Sequence, residues 1–268
     1  MRAINHVAVN VFKESVRDKV LYNLVVFAVL LISISYLLGQ LTAGQDIKII
    51  KDLGLASIAT FGLLIAVFIG IGLVWKEVER RSIYSLLAKP LRRSEFVLGK
   101  YLGLVLTLLV NVGVMTLAFY LVLAYLGWKE VPIVRQSWPA PATDPAMLQA
   151  VLLIGVELML VTAIALFFST FSSPFLSIGL TLGLWVIGHF NADLRNFENV
   201  VASKPAAWLA RGLYYVLPNF GAFDVKAQVV HGQPVDAGYV ALTAAYGLTY
   251  LALVLVGAVA IFSRRDFK

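Results

Sequence analysis

Long runs without a charge constrain this chain before anything else does. No Asp, Glu, Lys or Arg occurs between Lys19 and Asp46, between Asp52 and Lys76, between Lys100 and Lys129, or from Ala237 to Ser263. Each run matches or exceeds the roughly 20 apolar residues that a helix needs to cross a ~30 Å hydrocarbon core. Water is absent there, so every backbone N–H and C=O must be paired within the protein, and a single run achieves that only as a helix. From Pro145 to Ala192 the only charge is Glu157; the stretch is too long for one crossing and suits two. Ser172, Ser173 and Pro174 break it, because proline lacks a donor and restricts the residue before it. The predicted fold is therefore an all-α polytopic membrane protein with six transmembrane helices, at about 21–41, 53–75, 101–128, 146–171, 174–191 and 239–263, forming a single domain over 1–268.

Composition agrees. Hydrophobic residues make up 60% of the chain, above the roughly 45–50% of ordinary globular domains. Cysteine is absent, which excludes disulfides, thiolate metal sites and cysteine nucleophiles. The net charge of +7 sits in short segments beside apolar runs, as lipid headgroups and topology require, rather than in the exposed stripe that nucleic acid needs. The partners read from charge are therefore membrane lipid and no nucleic acid. Residues 1–20 carry Arg2, Lys13, Glu14, Arg17, Asp18 and Lys19, unlike a cleaved signal peptide.

An even number of crossings puts both termini on one side. The N-terminal segment, the segment at 76–100 and the C-terminal tail hold four, seven and three Lys and Arg; the opposite loops at 42–52, 129–145 and 191–238 hold two, two and four. The positive-inside rule then makes both termini and the 76–100 segment cytoplasmic. Ile4, Val7, Ala8, Val11 and Phe12 share one helical face and His6, Asn10, Lys13 and Arg17 the other, which predicts an interfacial helix within residues 1–19. In the 191–238 loop, Trp208, Leu209, Leu213 and Val216 fall near one face of a short amphipathic helix stopped by Pro218.

The 76–100 segment is the most distinctive. Ile83, Leu86 and Leu87 stand at i, i+3 and i+4, so a helix over about Ser82–Ala88 presents a small apolar ridge that Pro90 closes. Ser94 is the predicted N-cap of the third crossing, with Glu95 in its first turn. A ridge flanked by Glu77, Glu79, Arg80, Arg81, Arg92 and Arg93 suits docking to a partner; on physical grounds a solvated loop fits equally.

Glu77-x-Glu79-Arg80, the Leu86-Leu87 pair, Lys89-Pro90-Leu91-Arg92-Arg93 and Gly99-Lys100 leading into a crossing resemble the permease subunits of type-2 ABC transporters. The likeness runs through FSTFSSPF (168–175) and LPNFGAFD (217–224), and those two stretches look most like the branch containing the permease of the nitrous-oxide-reductase maturation transporter. Arg81-Ser82 departs from the Gly-Thr pair of many members. The resemblance implies that Glu77, Glu79, Arg80, Ile83, Leu86, Leu87, Lys89, Pro90 and Arg92 form a coupling region touching a separate ABC ATPase subunit, present in two copies. It implies ATP and Mg on that partner and no cofactor on this chain, an exporter, and a bacterial or archaeal cytoplasmic (inner) membrane. It also implies a homodimer or a pairing with a similar permease, with the first and fifth crossings near the symmetry axis. Gly179-x-x-x-Gly183 in the fifth crossing has a spacing that lets helices approach closely.

No catalytic, cofactor or metal residue is assigned. The closest window to a P-loop, Ser94–Tyr101, lacks the first glycine and the final Ser or Thr, and His6, His189 and His231 lack ligand spacing. Glu157 stands out. About 11 residues into the fourth crossing, its charge costs at least roughly 2.5–3.5 kcal/mol near mid-bilayer. It is either protonated or hydrogen-bonded, to a neighbour such as Asn111, or it lines a polar path. Two further readings therefore stay open: an ion-coupled transporter or channel using Glu157, and a non-transporting membrane scaffold.

Overall fold

The computed structural model describes residues 2–41, 46–79, 92–191, 194 and 204–264, without the side chains of 2–3, 73–79, 204 and 206–207. All regular structure among them is helical: α1 (Arg2–Ser15), α2 (Lys19–Gln40), α3 (Asp46–Glu79), α4 (Arg93–Lys129), α5 (Pro132–Gln136), α6 (Ala146–Ser169), α7 (Pro174–His189), α8 (Lys204–Val216), a 3-10 turn at Phe220–Phe223, α9 (Lys226–Val230) and α10 (Ala237–Arg264).

Among the described residues five helices have the length and apolarity to cross a membrane: α2, α3 up to Gly72, α4, α6 and α10. The predicted fifth crossing differs. α7 has 16 residues, which rise about 24 Å at ~1.5 Å each, short of a ~30 Å core. α3, α4 and α6 pack on one another at the centre; α2 lies on α3 and α4, α7 on α6 and α3, and α10 on α6 and α4. Ile58, Ile65, Leu108, Met115, Phe119 and Leu153 fill the buried core, whereas Phe27, Leu37, Leu242 and Val256 expose apolar surface on α2 and α10.

The space beyond α7 is filled by the loop that follows. The 3-10 turn packs on α6 and α7, and α9 packs on α3 and α6, burying Phe220, Phe223, Val229 and Val230. Two glycines make room for it. A Cβ at Gly188 would lie 2.5 Å from the Phe220 ring, and one at Gly247 would lie 2.9 Å from that of Phe223. Tyrosines of α10 tie down this plug and the end of α8 before it: Tyr239 donates to the Ala222 carbonyl at 2.7 Å, Tyr246 accepts the Asn219 N–H at 2.9 Å, and Tyr250 donates to the Val216 carbonyl.

At the same end, α3 begins at Asp46 rather than 53, because Lys51 does not leave the protein. It is 1% exposed, and its ammonium donates to the Pro141 carbonyl at 2.9 Å. Tyr120 donates to the Asp144 carbonyl at 3.1 Å, and the Asp144 carboxylate accepts the Ala146 N–H at 2.9 Å, holding the start of α6.

α4 also starts earlier than predicted. Arg92, not Ser94, is the N-cap, because Glu95 reaches back to accept the Arg92 N–H at 3.2 Å and so satisfies an amide at the helix start. Near that end α1 lies against α4. Its predicted apolar face is the packed one, with Val11 buried and His6, Asn10 and Lys13 exposed. Gly99 and Gly103 admit it: a Cβ at Gly99 would lie 2.7 Å from Val7 Cβ, and one at Gly103 would lie 2.6 Å from the Ala8 carbonyl oxygen. Gly103→Val should therefore lower thermal stability in detergent by about 1–3 kcal/mol, the usual cost of overpacking. Gly113→Val is the control, since a Cβ there meets nothing within 4 Å; equal effects would contradict the packing of α1.

Candidate functional site

α6 and α7 form an antiparallel hairpin whose turn lies between Ser169 and Pro174. Residues equidistant from such a turn lie side by side, so Glu157 faces α7 near Trp185 and His189, which are one helical turn apart. Glu157 is 7% exposed. The indole Nε1–H of Trp185 donates to its Oε1 at 2.7 Å, and His189 Nε2 stands 3.7 Å from the same oxygen.

The other imidazole nitrogen fixes the tautomer. His189 Nδ1 lies 3.1 Å from the Trp185 carbonyl oxygen, which only accepts, so Nδ1 carries the hydrogen. Nε2 is left to face the carboxylate. The two rings touch, with centroids 4.4 Å apart, and Phe220 of the plug stacks on the imidazole at 5.9 Å and 18°. Asp224 and Lys226 pair at 3.5 Å and act electrostatically on Glu157. Down the same face of α7 lie the buried Thr181 and Ser177. Thr181 donates to the Ser177 carbonyl at 2.7 Å, while the Ser177 hydroxyl has no partner among the described residues.

The other predicted residues are dispersed. Asn111 is buried in α4, but its amide donates to the Thr107 carbonyl of its own helix at 2.6 Å; the suggested Glu157–Asn111 pairing is replaced by Glu157–Trp185. Gly179 and Gly183 face open space, since a Cβ at either meets nothing within 4 Å. Glu77 and Glu79 end α3 with side chains outside the description, and Arg80, Ile83, Leu86, Leu87, Lys89 and Pro90 lie outside the described residues. Arg92 is exposed at the head of α4. Among the described residues no group of three or more His, Cys, Asp or Glu is arranged for a metal. Trp185 and His189 were missed as partners of Glu157, although the hairpin symmetry about Ser172-Ser173-Pro174 identifies them.

Residues 6–267 match the model of the ABC-2 family transporter protein. The chain belongs to that family. No curated protein matches it. As an ABC-2 family member it is an integral membrane permease of an ABC transporter, in a family whose permeases generally partner with an ABC ATPase. In this permease the Glu157 cluster is a buried acid with one indole donor and one imidazole facing it. Trp185→Phe removes that donor and should cost about 1–3 kcal/mol of stability, while Glu157→Gln, whose amide oxygen still accepts, should cost less. Thermal unfolding in detergent measures both; the reverse order would contradict the Trp185–Glu157 bond.

Proposed function

We propose that this permease is the membrane half of an ATP-driven exporter of the bacterial or archaeal inner membrane, working as two copies, or with a similar permease, on two ATPase subunits. ATP and Mg act on those subunits, and both termini are cytoplasmic. Residues Glu77, Glu79, Arg80, Ile83, Leu86, Leu87, Lys89, Pro90 and Arg92 receive the ATPase, and α1 lies along the inner leaflet. α7 together with the plug makes the fifth of six crossings. FSTFSSPF and LPNFGAFD favour the branch that resembles the nitrous-oxide-reductase maturation permease.

One observation carries the coupling. The helices on either side of the segment at 80–91 continue unbroken from it. α3 has 34 residues and α4 has 37, so at ~1.5 Å per residue they rise about 51 and 55 Å, well beyond a ~30 Å core. α3 and α4 pack on each other, and Arg93 at the head of α4 donates to the Ser263 carbonyl of α10 at 2.7 Å. A push on the segment thus reaches three crossings as rigid bodies. The family favours this ATP-driven reading over an ion-coupled carrier or a scaffold, and Glu157 then serves inside it.

The test is purification of the tagged chain from its native membrane. An ATPase should accompany the unaltered protein, and Leu86→Asp with Leu87→Asp should remove it; retention of ATPase and of ATP turnover would overturn the docking assignment. For the dimer, Gly183→Cys in this cysteine-free chain should cross-link two copies under oxidation. Leu253→Cys on the exposed face of α10 should not; a reversed pattern would move the axis away from α7.

A further inference from the structure

We propose that Glu157 and His189 form a binding site for a single proton, and that this proton holds the plug of residues 218–235 against the bundle. The inference deepens the reading of the Glu157 cluster; the proton site itself stands on the geometry whether or not an ATPase drives the protein.

The proton count follows from the hydrogen bonds. With Nδ1–H committed to the Trp185 carbonyl, a neutral His189 turns the Nε2 lone pair toward Glu157 Oε1, 3.7 Å away. If Glu157 is then ionised, an acceptor faces a buried negative charge, and among the described residues only Trp185 donates to that oxygen. One added proton removes the conflict. It sits either on the carboxyl, pointing at Nε2, or on Nε2, making an imidazolium beside a carboxylate; both arrangements have the same net charge. A second proton would leave a positive charge with no carboxylate to answer it, which a buried site disfavours.

The crossings packed around the pair supply no competing charge. The residues of α3 from 53 onward to 75, of α4 from 101 to 128 and of α10 from 237 to 263 contain no Asp, Glu, Lys, Arg or His. Tyr101 of α4 spends its hydroxyl on the Met159 carbonyl at 3.2 Å, and Tyr246 of α10 accepts from Asn219. From the plug come Asp224 and Lys226, which pair with each other at 3.5 Å.

The route and the consequence come from His189. Its side chain is 25% exposed where that of Glu157 is 9%, so the proton arrives through the imidazole from the plug side. The same ring is the floor on which Phe220 stacks, over Gly188, where no Cβ fits. Loss of the proton leaves a buried carboxylate against a lone pair, and hydrating it means lifting Phe220 away. The plug therefore loosens when the site empties and seats when it fills.

The experiment uses the full chain in lipid nanodiscs with Trp185 as its one tryptophan, the other four replaced by Phe. Across about pH 5 to 9, Trp185 emission, quenched by its contact with the imidazole, should follow a single one-proton transition. Glu157→Gln should displace that transition by about one pH unit or more, and His189→Gln should abolish it. In the same range Val229→Cys should react at least about tenfold faster with a water-soluble maleimide on the deprotonated side. A flat emission profile, a transition unmoved by Glu157→Gln, or Val229→Cys labelling that ignores the transition would each overturn the proposal. Should the single-tryptophan chain fail to fold, the infrared carboxyl or carboxylate bands lost in Glu157→Gln and the imidazole bands lost in His189→Gln, followed together against pH, decide the same question. Failure here leaves the ATPase docking test untouched, and the converse holds.

Discussion

A polar group withdrawn from water must find its partner inside the protein, and that requirement organises this molecule. It makes the apolar runs helices, since a helix pairs its own backbone. It also governs the place where the helical pattern stops. α7 ends beside the middle of α6, and the backbone that fills the remaining depth is held by the 3-10 turn, by α9 and by three tyrosines of α10 that bond Val216, Asn219 and Ala222. Lys51 obeys the same rule at the edge of the bundle by donating to Pro141. Glu157 obeys it at the centre through Trp185.

These solutions divide the permease into two ends with different characters. At one end long rods, α3 and α4, emerge toward a charged segment and are tied to α10 by Arg93 and Ser263. At the other, aromatic packing of Phe220 and Phe223 closes the bundle above the Glu157 cluster. α6 joins them, since it packs on α3, α4, α7 and α10. Work delivered to the rods would thus reach the hairpin that carries Glu157 without passing through a flexible link.

Much of this was legible in the sequence, and the reasons for the rest are physical. Uncharged runs located the five helices of crossing length because hydrophobic length is a local property. The apolar face of α1 was legible from its 3.6-residue period, and its receptor, Gly99 with Gly103, was missed; that pair has the same spacing as Gly179 and Gly183, and only packing separates them. The fifth crossing, predicted at 174–191, ends as α7 at His189 and falls short of the core, and no local signal showed that the stretch at 218–235, with Asp224 and Lys226, folds back to fill the remaining depth. Lys51 was read as a loop charge because burial beside a distant carbonyl leaves no local signal. Glu157 announced itself by cost alone, while its partners needed the hairpin register.

In the proposed arrangement the segment between α3 and α4 faces the cytoplasm, where an ATPase can press on it, and the plug faces the opposite side. With no native cysteine, single-cysteine labelling in sealed membranes of known orientation tests this directly. Ser85→Cys should react with an impermeant maleimide only in inside-out vesicles and Ser137→Cys only in right-side-out ones. Labelling of Ser85→Cys from the outer face would contradict the account.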